Sequence, residues 1–274
     1  MSPRLTALSL VLPLVAIGDI VIRHDRPEGP YLALGARLRA AYVDLDPPRA
    51  GRIGGRATGT LIGSRWVLTA AHVVEQYSPK HPEYRAPRPG APLFRVAIAD
   101  SLYDVVRVVL HPDWPVWPAW QSTGIRHDIA LVELATAVTH VTPVQPYRRR
   151  DERGRVVIFL GRGGTGTGAA GITKHDGQLR GAMNRVDAVD ANTIGFTFDD
   201  PASDAVLELE GISGPGDSGG AALFEPVRGR TLYTMGVSSH QVPNGKREGH
   251  YGVREVYTRV SSYTRWMDST MRIR

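Results

Sequence analysis

Three short segments of the chain hold side chains whose types suit nucleophilic attack on a carbonyl. Trp66-Val67-Leu68-Thr69-Ala70-Ala71-His72 is an apolar run followed by small residues, ending on a histidine placed for a strand end. In His127-Asp128-Ile129-Ala130-Leu131-Val132-Glu133-Leu134 an aspartate stands directly before a strand-like run. Gly216-Asp217-Ser218-Gly219-Gly220 sets a serine between glycines, which permit a sharp turn and close approach by a substrate. A serine hydroxyl is a weak nucleophile at neutral pH and needs a base within hydrogen-bond reach. His72 would take the proton, a buried Asp128 would fix the imidazole tautomer, and Ser218 would attack. The backbone N–H groups of Gly216 and Ser218 would then receive the oxyanion. Each segment also has a plainer reading: a surface histidine, an aspartate at a turn, a flexible Gly/Ser loop. Their joint presence, in the order His, Asp, Ser, separates this chain from the other serine-hydrolase orders.

The elements that must position these residues read as short strands. Apolar runs at Thr60–Ile62, Trp66–Thr69, Phe94–Ala97, Val105–Leu110, Ile129–Leu134, Val156–Leu160, Gly195–Phe198, Ala221–Phe224 and Leu232–Val237 are separated by turn residues. Helical periodicity is confined to Ser261–Met271, where Ser261 or Ser262 is placed to cap and Tyr263, Trp266, Met267 and Thr270 share a face. Segments 43–56 and 78–92 are rich in Pro, Gly and Arg and read as surface loops, as does 116–126 with its Trp117, Pro118 and Trp120. Many short strands point to barrels or a sandwich.

Composition narrows the class. Hydrophobic residues at 42% and charged residues at 22% are ordinary for a globular chain, which excludes a disordered one. The formal net charge of +6 reads as a basic, solvated surface, since the one tight cluster, Arg148-Arg149-Arg150, is followed at once by Asp151 and Glu152. Basic residues are not interleaved with aromatics, so no nucleic-acid partner is expected. There are no cysteines, which excludes disulfides and thiolate metal sites. The nine histidines show no HExxH or other close ligand spacing, so no metal is expected. Gly161-Arg162-Gly163-Gly164-Thr165-Gly166 fits the dinucleotide pattern GxGxxG, but the residues after it make a poor helix and no cofactor is expected. Arg4 precedes an apolar run from Leu5 to Ile17, too short to span a bilayer, with Ala16 and Gly18 placed for signal-peptidase cleavage. Residues 1–18 are therefore expected to be a signal peptide, with a secreted or periplasmic product.

TAAH, DIAL and GDSGG, all without substitution, resemble the signatures of the chymotrypsin/trypsin family of serine proteases. The likeness extends to Gly59-Thr60-Leu61-Ile62, to Val109-Leu110-His111-Pro112, and to Val256-Tyr257-Thr258-Arg259-Val260 leading to Trp266-Met267, so it runs from about residue 20 to the C-terminus. It implies an all-β fold of two packed six-stranded antiparallel barrels with a short C-terminal helix. The N-terminal barrel would span about 32–140, the C-terminal barrel about 141–260 and the helix about 261–271, all within a peptidase domain at 19–274. The implied activity is that of a serine endopeptidase working through an acyl-enzyme on protein or peptide substrates. A monomer is expected, with no membrane contact beyond the signal peptide. The lack of cysteines makes a bacterial source more plausible than an animal one.

The resemblance also assigns roles outside the three central residues. Ser239, with Ser238 one residue away, resembles the serine that hydrogen-bonds the buried aspartate. Ile212, six before the nucleophile, stands at the base of the primary specificity pocket, where a trypsin would need an aspartate. Glu255 stands at a second pocket position that is usually glycine, either reaching in to attract Lys or Arg or swinging into solvent. His240 and Gln241 would lie on the strand that pairs with substrate. A new N-terminus at Ile20-Val21 would insert its ammonium against Asp217, although Ile22 and Arg23 replace the usual glycines and Tyr31-Leu32-Ala33-Leu34-Gly35 is read as the first strand. The alternative is a catalytically idle or zymogen-locked protein of this fold that binds anionic ligands.

Overall fold

The computed structural model describes residues 20–45, 57–242 and 245–272; the expected signal peptide at 1–18 lies outside them. The chain enters through a two-residue strand, β1 (Val21–Ile22), and then forms a helix, α1 (Gly29–Arg37). The expected first strand at 31–35 is therefore corrected to helix. Pro30 sits in the first turn, where it is tolerated, and Tyr31, Leu34, Gly35 and Leu38 are buried at helical spacing. Gly35 is needed for this packing, because a Cβ there would lie 2.4 Å from the Leu179 carbonyl oxygen.

The first barrel is built from β2 (Val43–Asp44), β3 (Thr58–Gly63), β4 (Trp66–Thr69), β5 (Phe94–Ile98), β6 (Ser101–Leu110) and β7 (Ala130–Leu134). It closes in the order β2-β3-β4-β7-β6-β5. Two segments read as loops contribute structure: Val43 and Asp44 form β2, and α3 (Ala119–Thr123) lies within 116–126, while a short helix, α2 (Ala71–Val74), follows β4. Val43, Leu61, Val67, Val96, Ile98, Val105 and Val132 fill the interior.

The remaining strands are β8 (Gln145–Pro146), β9 (Val156–Gly161), β10 (Gly164–Thr167), β11 (Gly171–His175), β12 (Arg180–Arg185), β13 (Ala188–Val189), β14 (Thr193–Thr197), β15 (Gly211–Ile212), β16 (Ala221–Phe224), β17 (Tyr233–Val242) and β18 (Arg254–Arg259). The sheet β12-β9-β16-β17-β18-β14-β13 curls around Phe159, Phe196, Ala222, Met235 and Tyr257. Among the described residues no backbone ladder joins β12 to β14; Asn184 Nδ2 donates to the Thr197 carbonyl at 2.9 Å and bridges that seam. The GxGxxG segment runs from the last residue of β9 through Arg162 and Gly163 into β10, and a strand, β11, rather than a helix follows it.

The closing helix, α4 (Thr264–Arg272), buries Met267 and Thr270 between the two units, with Tyr263 buried just ahead of it. Neither serine caps it as expected. Ser261 Oγ donates to Glu152 and Ser262 Oγ to the Ala191 carbonyl, so their side chains are already committed. Among the described residues no helix is long and apolar enough to cross a membrane.

Buried arginines join distant parts of the chain. Arg259 makes a two-pronged contact with Glu152 at 3.0 and 2.7 Å, and Ser261 completes that carboxylate's shell. Removing one partner of such a pair strands the other charge, whereas an exposed pair such as Arg155–Asp151 stabilises little. Glu152→Ala should therefore lose about 3–5 kcal/mol in denaturant unfolding, and Asp151→Ala less than about 1 kcal/mol. Equal losses would contradict this.

Candidate active site

The end of β4 delivers His72. Ala70 is extended and Ala71 opens α2, so the imidazole emerges at the rim of the first barrel. The segment before β7 delivers Asp128, whose side chain is 1% exposed. His72 donates its backbone N–H to Asp128 Oδ1 at 2.9 Å, and its Nδ1 lies 2.7 Å from Oδ2. The second unit supplies a further donor, Ser239 Oγ, at 2.6 Å from Oδ2. A β-bulge explains why Ser239 and not Ser238 does this. In the β17–β18 ladder Ser238 pairs with Tyr257 and His240 with Val256, which leaves Ser239 unpaired and aimed at Asp128.

Electrostatics follow from this packing. Burial alone would raise the Asp128 carboxyl, but the His72 charge and the hydrogen bonds from His72 and Ser239 outweigh it and hold it below the usual carboxylate range. Burial likewise works against a charged His72, and the Asp128 charge and hydrogen bond prevail to raise its pKa. With Nδ1–H directed at Asp128, the Nε2 lone pair of His72 is free to act as a base. The imidazole is 25% exposed, so it is open to the cleft.

The turn bearing Ser218 is pressed against the first barrel. The Ser218 carbonyl accepts from Thr58 N at 2.8 Å, and Gly219 N donates to the Ser238 carbonyl at 2.9 Å. Gly219 has φ +84°, and a Cβ on it would lie 2.1 Å from Thr69 Oγ1 and 2.3 Å from the Thr58 carbonyl. Only glycine fits between the serine and the strand that leads to His72. Among the described residues no hydrogen bond joins Ser218 Oγ to His72, a contact that commonly tightens only with substrate in place. Gly216 has φ +107°, and the Gly216 and Ser218 N–H groups have no acceptor among the described residues.

Glu255 does not swing into solvent. It is 2% exposed, accepting from Ser213 N at 3.0 Å and from Ser238 Oγ at 3.3 Å. Burial pushes its pKa up to about 8. Ile212 turns instead into an apolar cluster with Val21, Phe198, Tyr251 and Val253. His240 is half-buried beside Ser239, 3.2 Å from its Oγ. Asp217 is buried, with burial raising its pKa; it faces the backbone of Gly214, Arg162 and Gly163, and its Oδ1 has no hydrogen-bond partner among the described residues. Ile20 is also buried, its carbonyl accepting from Thr165 Oγ1 at 2.9 Å.

Gln241, expected only on the strand that pairs with substrate, does more, and two further contributors, Thr258 and Glu75, escaped the sequence reading. Gln241 Nε2 donates to the Ser213 carbonyl and its Oε1 accepts from Gly249 N at 3.2 Å, so its amide ties the segment after β15 and the turn at Gly249 to β17. Thr258 Oγ1 donates to the Asp128 carbonyl at 2.8 Å. Glu75, buried on the turn after His72, accepts from Trp114 Nε1, Trp117 N and Trp120 Nε1 at 2.7, 3.1 and 3.1 Å. The signal for Glu75 was the tryptophan-rich stretch, whose indole N–H groups require acceptors once buried.

Comparison with known proteins places the chain. The family described as Trypsin matches residues 49–267. The chain is 33% identical over 236 residues to a calcium-dependent serine proteinase of Mesocricetus auratus, covering 79% of this chain and 32% of that protein. It is 32% identical over 230 residues to the complement C1s-1 subcomponent of Mus musculus, covering 78% and 32% respectively. This chain therefore spans about a third of the length of these relatives. Among solved structures, mouse neuropsin, described as a serine protease expressed in the limbic system, superposes with a TM-score of 0.59 at 19% identity, over 91% of this chain and 98% of that one. The chain belongs to the trypsin family.

A carboxyl held neutral by burial contributes stability below about pH 4.5, and this is lost as pH rises toward about 8, because only the unfolded chain ionises freely in that window. Glu255→Gln has no such loss. Its stability relative to the parent should climb between pH 5 and pH 8 in urea unfolding, and a constant difference would show that Glu255 is not held neutral.

Proposed function

We propose that the chain is a serine endopeptidase, with Ser218 the nucleophile, His72 the general base and Asp128 its orienting partner. The observation that carries this reading is the Asp128 carboxylate, buried between the two units and satisfied by His72 and Ser239. Ser218 Oγ attacks the peptide carbonyl while His72 Nε2 removes its proton, and the Gly216 and Ser218 N–H groups stabilise the oxyanion. His72 then protonates the leaving amine, and water hydrolyses the acyl-enzyme by the same steps. The reading includes secretion of the chain, as expected from residues 1–18.

Substrates with Lys or Arg before the scissile bond fit the pocket best. Glu255 is a buried carboxyl among the Ser213 and Ser238 groups, and an entering cation would favour its ionised form. Activation follows from Asp217, whose Oδ1 lacks a hydrogen-bond partner among the described residues. Cleavage before Ile20 would create an ammonium for it and so order the oxyanion hole.

The test uses chain that begins at Ile20, assayed on peptide amides differing only in the residue before the cleaved bond. Hydrolysis should be fastest after Lys or Arg and should fall by about 10⁴ or more in His72→Ala. Glu255→Gln should reduce the preference for Lys and Arg by about tenfold or more. Absence of hydrolysis from folded, correctly processed protein would overturn the reading and favour the idle or locked alternative.

A further inference from the structure

Directly behind Asp128 two imidazoles lie face to face. His111 follows β6 and His127 precedes Asp128, and their rings stack with centroids 5.1 Å apart and planes inclined by 11°. One ring nitrogen of each, together with one carboxylate oxygen of Asp113, lie within 4.8 Å of one another. His111 Nδ1 is 3.9 Å from Asp113 Oδ2. Sequence spacing gave no metal expectation, because these residues are joined only by the pairing of β6 with β7.

The donor set has a definite preference. Two imidazoles and one carboxylate suit zinc-like divalent cations, whereas calcium and magnesium take shells of oxygen. The Tyr263 hydroxyl lies 3.0 Å from His127 Nδ1, an outer contact that fixes the ring and leaves Nε2 for a ligand. The backbone around the pair is set as well. His127 has φ +53°, a left-handed conformation uncommon for a non-glycine residue. Ile129 N donates to the His127 carbonyl at 2.8 Å, and His111 N donates to the Ile129 carbonyl at 3.1 Å. Tyr263 and Trp266 wall the rings on one side, at centroid distances of 5.0 and 5.2 Å from His111. Asp113, with its side chain 71% exposed, is the mobile arm. Rotation of Asp113, with the His111 ring, held at Nδ1 by a 3.3 Å bond from Asp113 N, turned out of its parallel stack on His127, brings the ligand atoms toward the roughly 3.3 Å separation of a tetrahedral zinc site, with water as the fourth ligand.

We propose that His111, His127 and Asp113 bind a zinc-like divalent cation, and that occupancy slows the enzyme by drawing His127, and Asp128 with it, away from His72. The binding half stands on the cluster alone; the inhibitory half rests on the proposed roles of His72, Asp128 and Ser218. A shift there need not be large, since Asp128 is covalently joined to a ligand and its two contacts with His72 are only 2.9 and 2.7 Å long.

The test is calorimetric titration of chelator-treated full chain with zinc chloride, repeated for Asp113→Asn and His111→Gln and with calcium chloride on the parent. Circular dichroism checks that each variant is folded, and Asp113 is exposed enough that its substitution should not disturb folding. A single equivalent of zinc should bind, each variant should weaken it by about tenfold or more, and calcium should give no comparable heat. The rate of fluorophosphonate labelling, measured on chain beginning at Ile20 with each protein normalised to its own metal-free rate, should fall with zinc in the parent at the same midpoint and not in Asp113→Asn. No zinc binding, or unchanged affinity in both variants, overturns the site. Binding with an unchanged labelling rate overturns the inhibitory half. Failure of metal-free parent to label would instead count against the proposed catalytic roles and leave the titration result standing.

Discussion

The carboxylate of Asp128 is the point on which both halves of the molecule converge. Burying a charge is costly unless donors surround it, and here the donors come from two directions. His72, at the end of β4 in the first barrel, supplies a backbone N–H and a ring nitrogen, while Ser239 on β17 supplies a hydroxyl. Thr258, on β18, grips the carbonyl of the same residue. The relative placement of the two units therefore determines whether Asp128 is satisfied, and with it the tautomer and basicity of His72. Fold and chemistry share one constraint.

A second constraint acts on the turn of Ser218. The chain must pass so close to Thr58 and Thr69 that residue 219 has no room for a Cβ. That contact presses the serine against the strand leading to His72, and the same turn leaves the Gly216 and Ser218 N–H groups without an acceptor among the described residues. Rigidity around this turn comes without covalent cross-links, since the chain has no cysteine. Ion pairs between residues far apart in sequence tie the molecule together instead: Arg180 with Glu28, Arg259 with Glu152, Arg37 with Glu225, and Arg148 with Asp268. The buried ones are tolerated because their guanidinium N–H groups are satisfied by carboxylates and carbonyls.

Much of this was legible in the residues themselves, for physical reasons that also explain the failures. Strands such as Trp66–Thr69 and Ala221–Phe224 are apolar runs between turn residues, and their bounds were read without error. Segment 31–35 misled because Tyr-Leu-Ala-Leu-Gly is apolar throughout; the deciding cue was Pro30 and the helical spacing that extends to Leu38. Ser261 and Ser262 look like helix caps, yet acceptors distant in sequence claim both hydroxyls. The direction of Glu255 was open because an isolated glutamate in a strand does not reveal which face is buried. The β17 bulge and the cradle around Glu75 depend on register and on loops meeting across the barrel, and local sequence does not encode either visibly.

In the proposed mechanism Ser218 is made nucleophilic by His72 acting from its Asp128 contact. The most direct measurement is mass-spectrometric mapping of the adduct formed when chain beginning at Ile20 meets a fluorophosphonate probe, with His72→Ala as the comparison. One adduct is expected, on Ser218, formed orders of magnitude faster in the parent than in the variant. An adduct on another serine, no adduct, or equal rates in the two proteins would contradict it.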